Sequence, residues 1–450
     1  MRPGFGRPIS ARPGRRAVRR GAMRVLVRRA FFCAGCAAAL VAAVGDPAGA
    51  APTGTAKVVA VAGTGSTGAR GDGGPATKAE LSAPGGIAVD VGGDVAIADS
   101  GNCRVQMIAG RSGRHFAMAM TARHIYTVAG TGCAQKRSAA KASLLDPTAV
   151  AFDAKGDLLI ADASGNRIFE LPAVSGRDFG VTVEAGRLTS VAGTGTAGSG
   201  SSGKSARSSR LSDPRGIAVD AAGDLYIADT GGCRVEEVPG GQSEATGVSA
   251  TMLAGHLYPV AGTGVCGFAG DGGSALSAQL WAPTAVTVDG GGDLLIADEG
   301  NSAVREVAAK GGMFYGVAIS AGNIGTVAGQ GAHSDYLADG LSAAGPVAVL
   351  NFPTGVATDG AGDLFIADSY ERAVREVPAH DGVVFGRSVV GGDMYTLVGI
   401  LAVASSVASG DGTRWITSRV VYPYGVAVGP SGDLYFSDQG ANTIRRVTGS

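Results

Sequence analysis

The chain has 450 residues, enough for one large domain or several small ones. Its formal net charge is zero, but the first 50 residues hold ten of the 38 basic and one of the 38 acidic residues, so residues 51–450 carry −9. A protein with this acidic charge lacks the basic surface of a nucleic-acid-binding protein. The 75 glycines, together with 45% hydrophobic residues, favour an all-β fold rich in tight turns.

The first 50 residues have the order of an export signal. Arginines come first, residues 30–44 (AFFCAGCAAALVAAV) are apolar, and Ala48-Gly49-Ala50 follows as a small-residue cleavage site. The apolar run is short for a membrane span. We therefore predict that residues 1–50 are a signal peptide, with Met23 as an alternative start, and that the mature protein is secreted or held in the cell envelope without a membrane span. The alternative is an uncleaved anchor.

Six segments of the chain are copies of one repeat. The aspartate of a Gly-Asp turn recurs at steps of 63, 67, 69, 70 and 70 residues, at Asp94, Asp157, Asp224, Asp293, Asp363 and Asp433. Each copy contains three strand candidates separated by turns, which are residues 216–220, 225–229 and 233–238 in the third copy. Both faces of these strands are apolar, as expected for a sheet stacked between two neighbouring sheets.

A fourth strand candidate, ending in VAG or LVG, follows each of the first five copies. No such strand follows the sixth copy, but KVVAVAG at residues 57–63 stands directly after the predicted signal. An N-terminal strand that completes the last sheet would close a ring without an open edge. The sequence thus predicts that residues 51–450 form a single six-bladed β-propeller.

The repeat resembles the NHL repeat. The pattern of that family is present almost whole at residues 216–235, GIAVDAAGDLYIADTGGCRV, and the linkers at residues 61–84 and 260–283 are similar to those of secreted bacterial NHL proteins. The resemblance implies a binding scaffold. A minority of relatives are enzymes, including an amidating lyase with a metal at the centre of the ring, so fold alone does not decide the function.

Four cysteines lie outside the predicted signal. Cys103 and Cys233 begin third strands, while Cys133 and Cys266 lie just beyond fourth strands. Because these two strands are antiparallel neighbours, we predict the disulfides Cys103–Cys133 and Cys233–Cys266, in keeping with an oxidising compartment. The alternative is metal binding, but these four cysteines show no C-x-x-C spacing.

The innermost strands should begin at the mouth of the ring. Each first strand follows a proline, at Pro84, Pro147, Pro214, Pro283, Pro353 and Pro423. Residues beside these prolines are polar in blades two and three and aromatic in blades five and six. A mouth of mixed polarity is typical of a ligand site, and the candidate residues are Asp146, Asp213, Arg215, Trp281, Phe352, Tyr422 and Tyr424. The alternative is that they are ordinary turn residues, because aspartate is common before proline.

An enzymatic site is harder to assemble. None of the five histidines falls beside the prolines, and Asp146 and Asp213 alone would give calcium only two carboxylate ligands. We therefore predict a monomeric, non-enzymatic protein without a cofactor or metal, which binds a peptide, a glycan or a partner protein around the central opening. The alternatives are a metal-dependent lyase or lactone hydrolase with its site at the centre, and a structural surface repeat without a dedicated ligand.

Overall fold

A computed structural model describes residues 56–133, 143–200, 202–241, 243–244, 251–330, 339–345, 348–399 and 418–448. These residues belong to one compact unit, Asp46–Ser450, and the predicted signal at residues 1–50 lies outside the described residues. No helix in the described part of the chain combines the length and the hydropathy of a membrane-spanning segment.

The described residues form six antiparallel sheets arranged as the blades of a β-propeller, numbered one to six in chain order. The first strands are Pro84–Val89, Pro147–Phe152, Pro214–Val219, Pro283–Val288, Pro353–Thr358 and Pro423–Val428. The second strands are Val95–Asp99, Leu158–Asp162, Leu225–Asp229, Leu294–Asp298, Leu364–Asp368 and Leu434–Asp438. The third strands are Arg104–Ile108, Arg167–Leu171, Arg234–Val238, Ala303–Val307, Ala373–Val377 and Thr443–Thr448. The fourth strands are Ile125–Ala129, Thr189–Ala192, His256–Ala261, Ile324–Gly329, Asp393–Val398 and Lys57–Ala62.

Short elements decorate this frame. Small hairpins join third to fourth strands at Gly113–His115 with Met118–Met120, Gly176–Asp178 with Val181–Val183, Ser243–Glu244 with Thr251–Met252, Gly312–Phe314 with Val317–Ile319, and Gly382–Val384 with Arg387–Val389. Lys204–Ser205 and Leu341–Ser342 each add a short strand to a fourth strand. The 3₁₀ turns are Ala76–Lys78, Ser100–Asn102, Ala206–Ser208, Thr230–Gly232, Ala275–Ser277, Glu299–Asn301 and Gln439–Ala441.

The ring closes as the sequence predicts. Lys57–Ala62 pairs antiparallel with Thr443–Thr448, so the N-terminal strand is the outer strand of blade six. The first strand of every blade contacts the first strands of both neighbours, including that of blade six with that of blade one. The Ser437 hydroxyl also donates a 2.6 Å hydrogen bond from blade six to the carbonyl oxygen of Gly85 in blade one. A closed ring leaves the inner strands without an open edge.

The hydrophobic core lies between the blades. In blade three, Leu225 and Ile227 pack against blade two, while Tyr226 and Ala228 pack against blade four. All four are buried, which confirms that both faces of the repeat are apolar because each blade is covered on both sides.

Both predicted disulfides are present. Cys103–Cys133 and Cys233–Cys266 join the start of a third strand to the segment after the fourth strand, in blades one and three. Their Cα–Cα separations of 5.0 and 5.2 Å fall within the usual range for a disulfide.

Candidate functional site

The mouth of the ring is the end at which the six first strands begin. Just before each of these strands, a backbone N–H donates to a buried aspartate that ends the second strand of the same blade. The donors are Ser82 to Asp99, Leu145 and Asp146 to Asp162, Ser212 to Asp229, Trp281 to Asp298, Asn351 to Asp368, and Val421 and Tyr422 to Asp438. These bonds involve the backbone, so they fix the loop whatever side chain it carries.

One half of the mouth is polar. The Nε of Arg215 lies 2.9 Å from Oδ2 of Asp213, and the two side chains are 38% and 41% exposed. Arg215 also lies close enough to Tyr424 to interact with it electrostatically. Since Arg215 comes from blade three and Tyr424 from blade six, this interaction joins opposite blades across the opening. Asp146 of blade two and Glu299 of blade four lie close enough to act electrostatically on Tyr424.

The other half of the mouth is aromatic. The rings of Phe352 and Tyr370 have centroids 4.7 Å apart at 41°, and those of Tyr370 and Tyr422 are 5.7 Å apart at 73°. Such tilted and edge-on arrangements are favourable for aromatic pairs. Tyr370 is 57% exposed, so this aromatic cluster of Phe352, Tyr370 and Tyr422 presents ring surface to solvent.

Trp281 stands apart from both halves. Its ring lies over the turn at Gly300, where an added Cβ would approach within 2.7 Å of Trp281 Cγ. Among the described contacts, no ring stacking or ion pair joins Trp281 to the other candidates. The structure thus brings together six of the seven predicted residues and leaves Trp281, 53% exposed, on the rim.

Sequence reasoning missed Glu299 and Tyr370, which follow the second strands. In three blades the residue after the second strand is a hydroxyl that donates to the proline carbonyl of the next blade, as in Ser100 to Pro147 at 2.5 Å and Thr230 to Pro283 at 2.6 Å. Ser369 makes the same bond. Glu299 occupies that position in blade four and directs a carboxylate to the mouth instead. This departure within the repeat is the signal that could have identified it.

Backbone strain does not mark the site. Asp213 and Phe352 have φ values of +55° and +54°, which non-glycine residues adopt rarely. Ala83 and Ala282 occupy the same position in blades one and four with φ values of +45° and +51°. The strained conformation therefore belongs to the repeat and not to the ligand site.

Burial changes the protonation of the mouth. It raises the pKa of Glu299 to about 7, with Asp213 acting in the same direction and Arg215 opposing. Burial also raises the pKa of Tyr424 to about 12, against the opposing charge of Arg215. At neutral pH, Tyr424 is therefore protonated and Glu299 is close to its midpoint, so the charge of the mouth depends on pH in the physiological range.

The central opening below Arg215 and Tyr424 has a volume of about 250 Å³ and is lined by the first strands of all six blades. Its described lining consists of glycine, alanine, valine, isoleucine, threonine and Phe152, apart from Arg215 and Tyr424 themselves. That lining supplies no histidine, cysteine, aspartate or glutamate to hold a metal ion at the centre.

Comparisons with known proteins agree with the repeat. A family model described as the NHL repeat matches residues 81–107 and 211–236. Teneurin-1 of Caenorhabditis elegans is 30% identical over 256 residues, which are 53% of this chain and 9% of that protein. The chain therefore spans less than a tenth of the length of this curated relative.

Solved propellers share the architecture. An auxiliary nutrient binding protein from Bacteroides thetaiotaomicron superposes with a TM-score of 0.54 and 11% identity, covering 88% of this chain and 76% of that one. A gluconolactonase from Xanthomonas campestris gives a TM-score of 0.48 and 10% identity, covering 87% of this chain and 89% of that one. At 11% identity, the likeness to the nutrient binding protein shows a shared fold and leaves the function to the site.

Proposed function

Since the chain is a six-bladed β-propeller with NHL repeats, we propose that it is a non-enzymatic binding protein that recognises a peptide, a glycan or a partner protein at the mouth of the ring. The observation that carries the proposal is the division of the mouth into an exposed aromatic cluster and a facing polar group. Apolar surface supplies affinity, and a few fixed polar groups supply orientation.

The charges of the mouth favour a ligand with a basic group. Asp146, Asp213 and Glu299 provide three carboxyl groups against the single guanidinium of Arg215, which already pairs with Asp213. Aromatic faces also attract cations. A peptide or protein segment with a lysine, an arginine or a free amino group is therefore the ligand that this mouth suits best, and an acidic ligand is disfavoured.

The enzymatic alternative receives no such support. A metal-dependent lyase or hydrolase at the centre would need several ligands that converge on the opening. The described lining of the opening offers hydroxyls, apolar side chains and Arg215. That described lining contains no carboxylate, imidazole or thiol, so the centre of this propeller lacks the ligands that such an enzyme needs.

We also propose that the protein works outside the cytoplasm as a monomer. Two disulfides support an oxidising compartment, because cytosolic proteins rarely keep such bonds. The export signal predicted in residues 1–50 agrees with this location. The closed ring supports the monomeric state, because pairing of Lys57–Ala62 with Thr443–Thr448 leaves blade six complete.

Peptide and glycan arrays test the proposal directly. Fluorescently labelled residues 51–450 should bind members of a peptide array that carry a basic group next to an aromatic or apolar residue. Tyr370→Ala, which removes the exposed aromatic ring, and Asp146→Asn, which removes a carboxylate of the mouth, should each weaken binding at least about tenfold, as expected for an anchor worth more than about 1.4 kcal/mol.

Met313→Ala is the matched control, since Met313 is 68% exposed on the outer hairpin of blade four, away from the mouth. Its binding should equal that of the wild type. If neither array yields a ligand, or if the mouth variants bind as well as Met313→Ala, the proposal fails.

A further inference from the structure

Three carboxyl groups meet in blade two at the end remote from the mouth. Pro147 pairs with Asp162 at the mouth, and Phe152 pairs with Leu158 at the opposite end. Asp157 precedes Leu158, Glu170 lies in the third strand, and Asp178 ends the strand Gly176–Asp178. Each of these three side chains, the acidic trio, offers an oxygen within 4.8 Å of the others.

Glu170 is the unusual member of the trio. Its side chain is 1% exposed, and both carboxyl oxygens are buried without a hydrogen-bond partner. Buried polar atoms are normally paired, because an unpaired one loses its hydration without compensation. Burial and the charges of Asp178 and Asp157 raise the pKa of Glu170 to about 8. The unpaired carboxyl group of Glu170 thus lies within 4.8 Å of oxygens of two further acidic side chains.

The other blades show which residue makes blade two different. Glu306 of blade four is in the same register and is also buried, and it faces Asp293. The position of Asp178 is taken there by Phe314, at the end of Gly312–Phe314. An Asp–Glu pair is therefore a recurrent feature of the repeat, and Asp178 adds a third carboxylate to it.

Blade one has a histidine–aspartate pair in place of this acidic trio. Met107 stands in the register of Glu170, and Nδ1 of His115 lies 2.7 Å from Oδ2 of Asp94. In blade two, the negative charge of the acidic trio is partly compensated by Lys155, whose ammonium contacts Asp178. The Lys155 side chain is 62% exposed, so it can leave this contact for solvent.

We propose that Asp157, Glu170 and Asp178 bind a divalent cation that prefers oxygen ligands, with Ca²⁺ as the representative ion. Carboxylates are the ligands that such hard cations select, and these three, from the turn before the second strand, from the third strand and from the small hairpin, offer between three and six oxygens. The ion displaces the Lys155 ammonium from Asp178 and gives the buried oxygens of Glu170 a partner. Its binding ties the small hairpin to the second and third strands of blade two.

Calcium titration of metal-stripped protein tests this site. Residues 51–450, freed of metal with a chelator, are titrated with CaCl₂ in a calorimeter and melted with and without CaCl₂, MgCl₂ and MnCl₂. We expect one saturable site per chain and a melting temperature that rises with CaCl₂, because an ion that binds the native state stabilises it.

Variants assign the effect to the trio. Asp178→Asn should weaken calcium affinity about tenfold or more, because affinity at such sites follows the number of charged ligands. Lys155→Gln should raise the calcium affinity, since this substitution removes the competing ammonium and leaves all three carboxylates in place. Glu306→Gln, which changes the two-carboxylate pair of blade four, should leave both heat and melting shift unchanged.

The proposal is overturned if neither the wild type nor Lys155→Gln shows saturable heat or a melting shift with any of the three cations. It is equally overturned if Asp178→Asn keeps the full calcium response, or if Glu306→Gln loses it. Lys155→Gln keeps the test decisive should Asp178→Asn fail to fold, because it retains all three carboxylates.

Discussion

Glu299→Gln should change how the stability of the protein depends on pH. Glu299 is partly buried beside Asp213 and Arg215, and its pKa is raised to about 7 from the ordinary value of 4.5. Burial is the main cause, because it disfavours the charged carboxylate. Glutamine has nearly the same shape but does not ionise, so the substitution removes the titration and leaves the packing of the mouth in place.

The sign and size follow from proton linkage. The folded protein holds the Glu299 proton more tightly than the unfolded chain, so its contribution to stability is fully present below about pH 4.5 and is lost as the pH rises through about 7. Each pKa unit corresponds to about 1.4 kcal/mol. Because Glu299 is not fully buried, we expect the wild type to lose about 1–3 kcal/mol relative to Glu299→Gln between pH 4.5 and pH 8.

Urea unfolding of residues 51–450 at several pH values measures this difference. Other buried carboxyl groups, such as Glu306, titrate in both proteins and cancel in the comparison. Glu184→Gln is the matched control, because Glu184 is 67% exposed on the surface. A free-energy difference between wild type and Glu299→Gln that stays constant from pH 4.5 to pH 8 would refute the reasoning, as would an equal pH dependence for Glu184→Gln.

Two further predictions concern the frame of the propeller. Replacing Cys103 and Cys133 by serine should lower the free energy of unfolding by about 3–4 kcal/mol in the chain-entropy model, because the disulfide closes a loop with a sequence separation of 30 residues. A reductant should lower the free energy of unfolding of the wild type by at least as much. An unchanged urea midpoint would contradict this prediction. Deleting Lys57–Ala62 leaves the outer edge of the strand Thr443–Thr448 unpaired. We expect that protein to self-associate in size-exclusion chromatography, whereas a stable monomer would show that closure is dispensable.

The strands, the closure and the disulfides could be predicted because each depends on the register of the repeat. Aligning the six copies places Cys103 beside Cys133 and leaves a strand missing at the end of the chain, so no knowledge of side-chain packing is needed. The residues before and after the prolines could be placed at the mouth by the same alignment.

Tyr370 could not be placed in this way. It lies in the turn after a second strand, and it contacts Tyr422, which precedes a first strand in the next blade. That contact depends on the position of the turn relative to the next blade, which the repeat pattern does not specify. The buried Glu170 was missed for another reason, because glutamate is almost never fully buried and a strand position for it is normally assumed to face solvent.

The mouth can differ from blade to blade because its backbone does not depend on its side chains. Asp162, Asp298 and their counterparts hold the loop through backbone N–H groups, so Leu145 in one blade and Trp281 in another start from equivalent anchors. A substitution in the mouth therefore costs the fold little. At such positions the side chain differs from repeat to repeat while the backbone hydrogen bond is the same, so the side chain is free to suit a ligand. The aromatic and polar halves of this mouth consist of such positions.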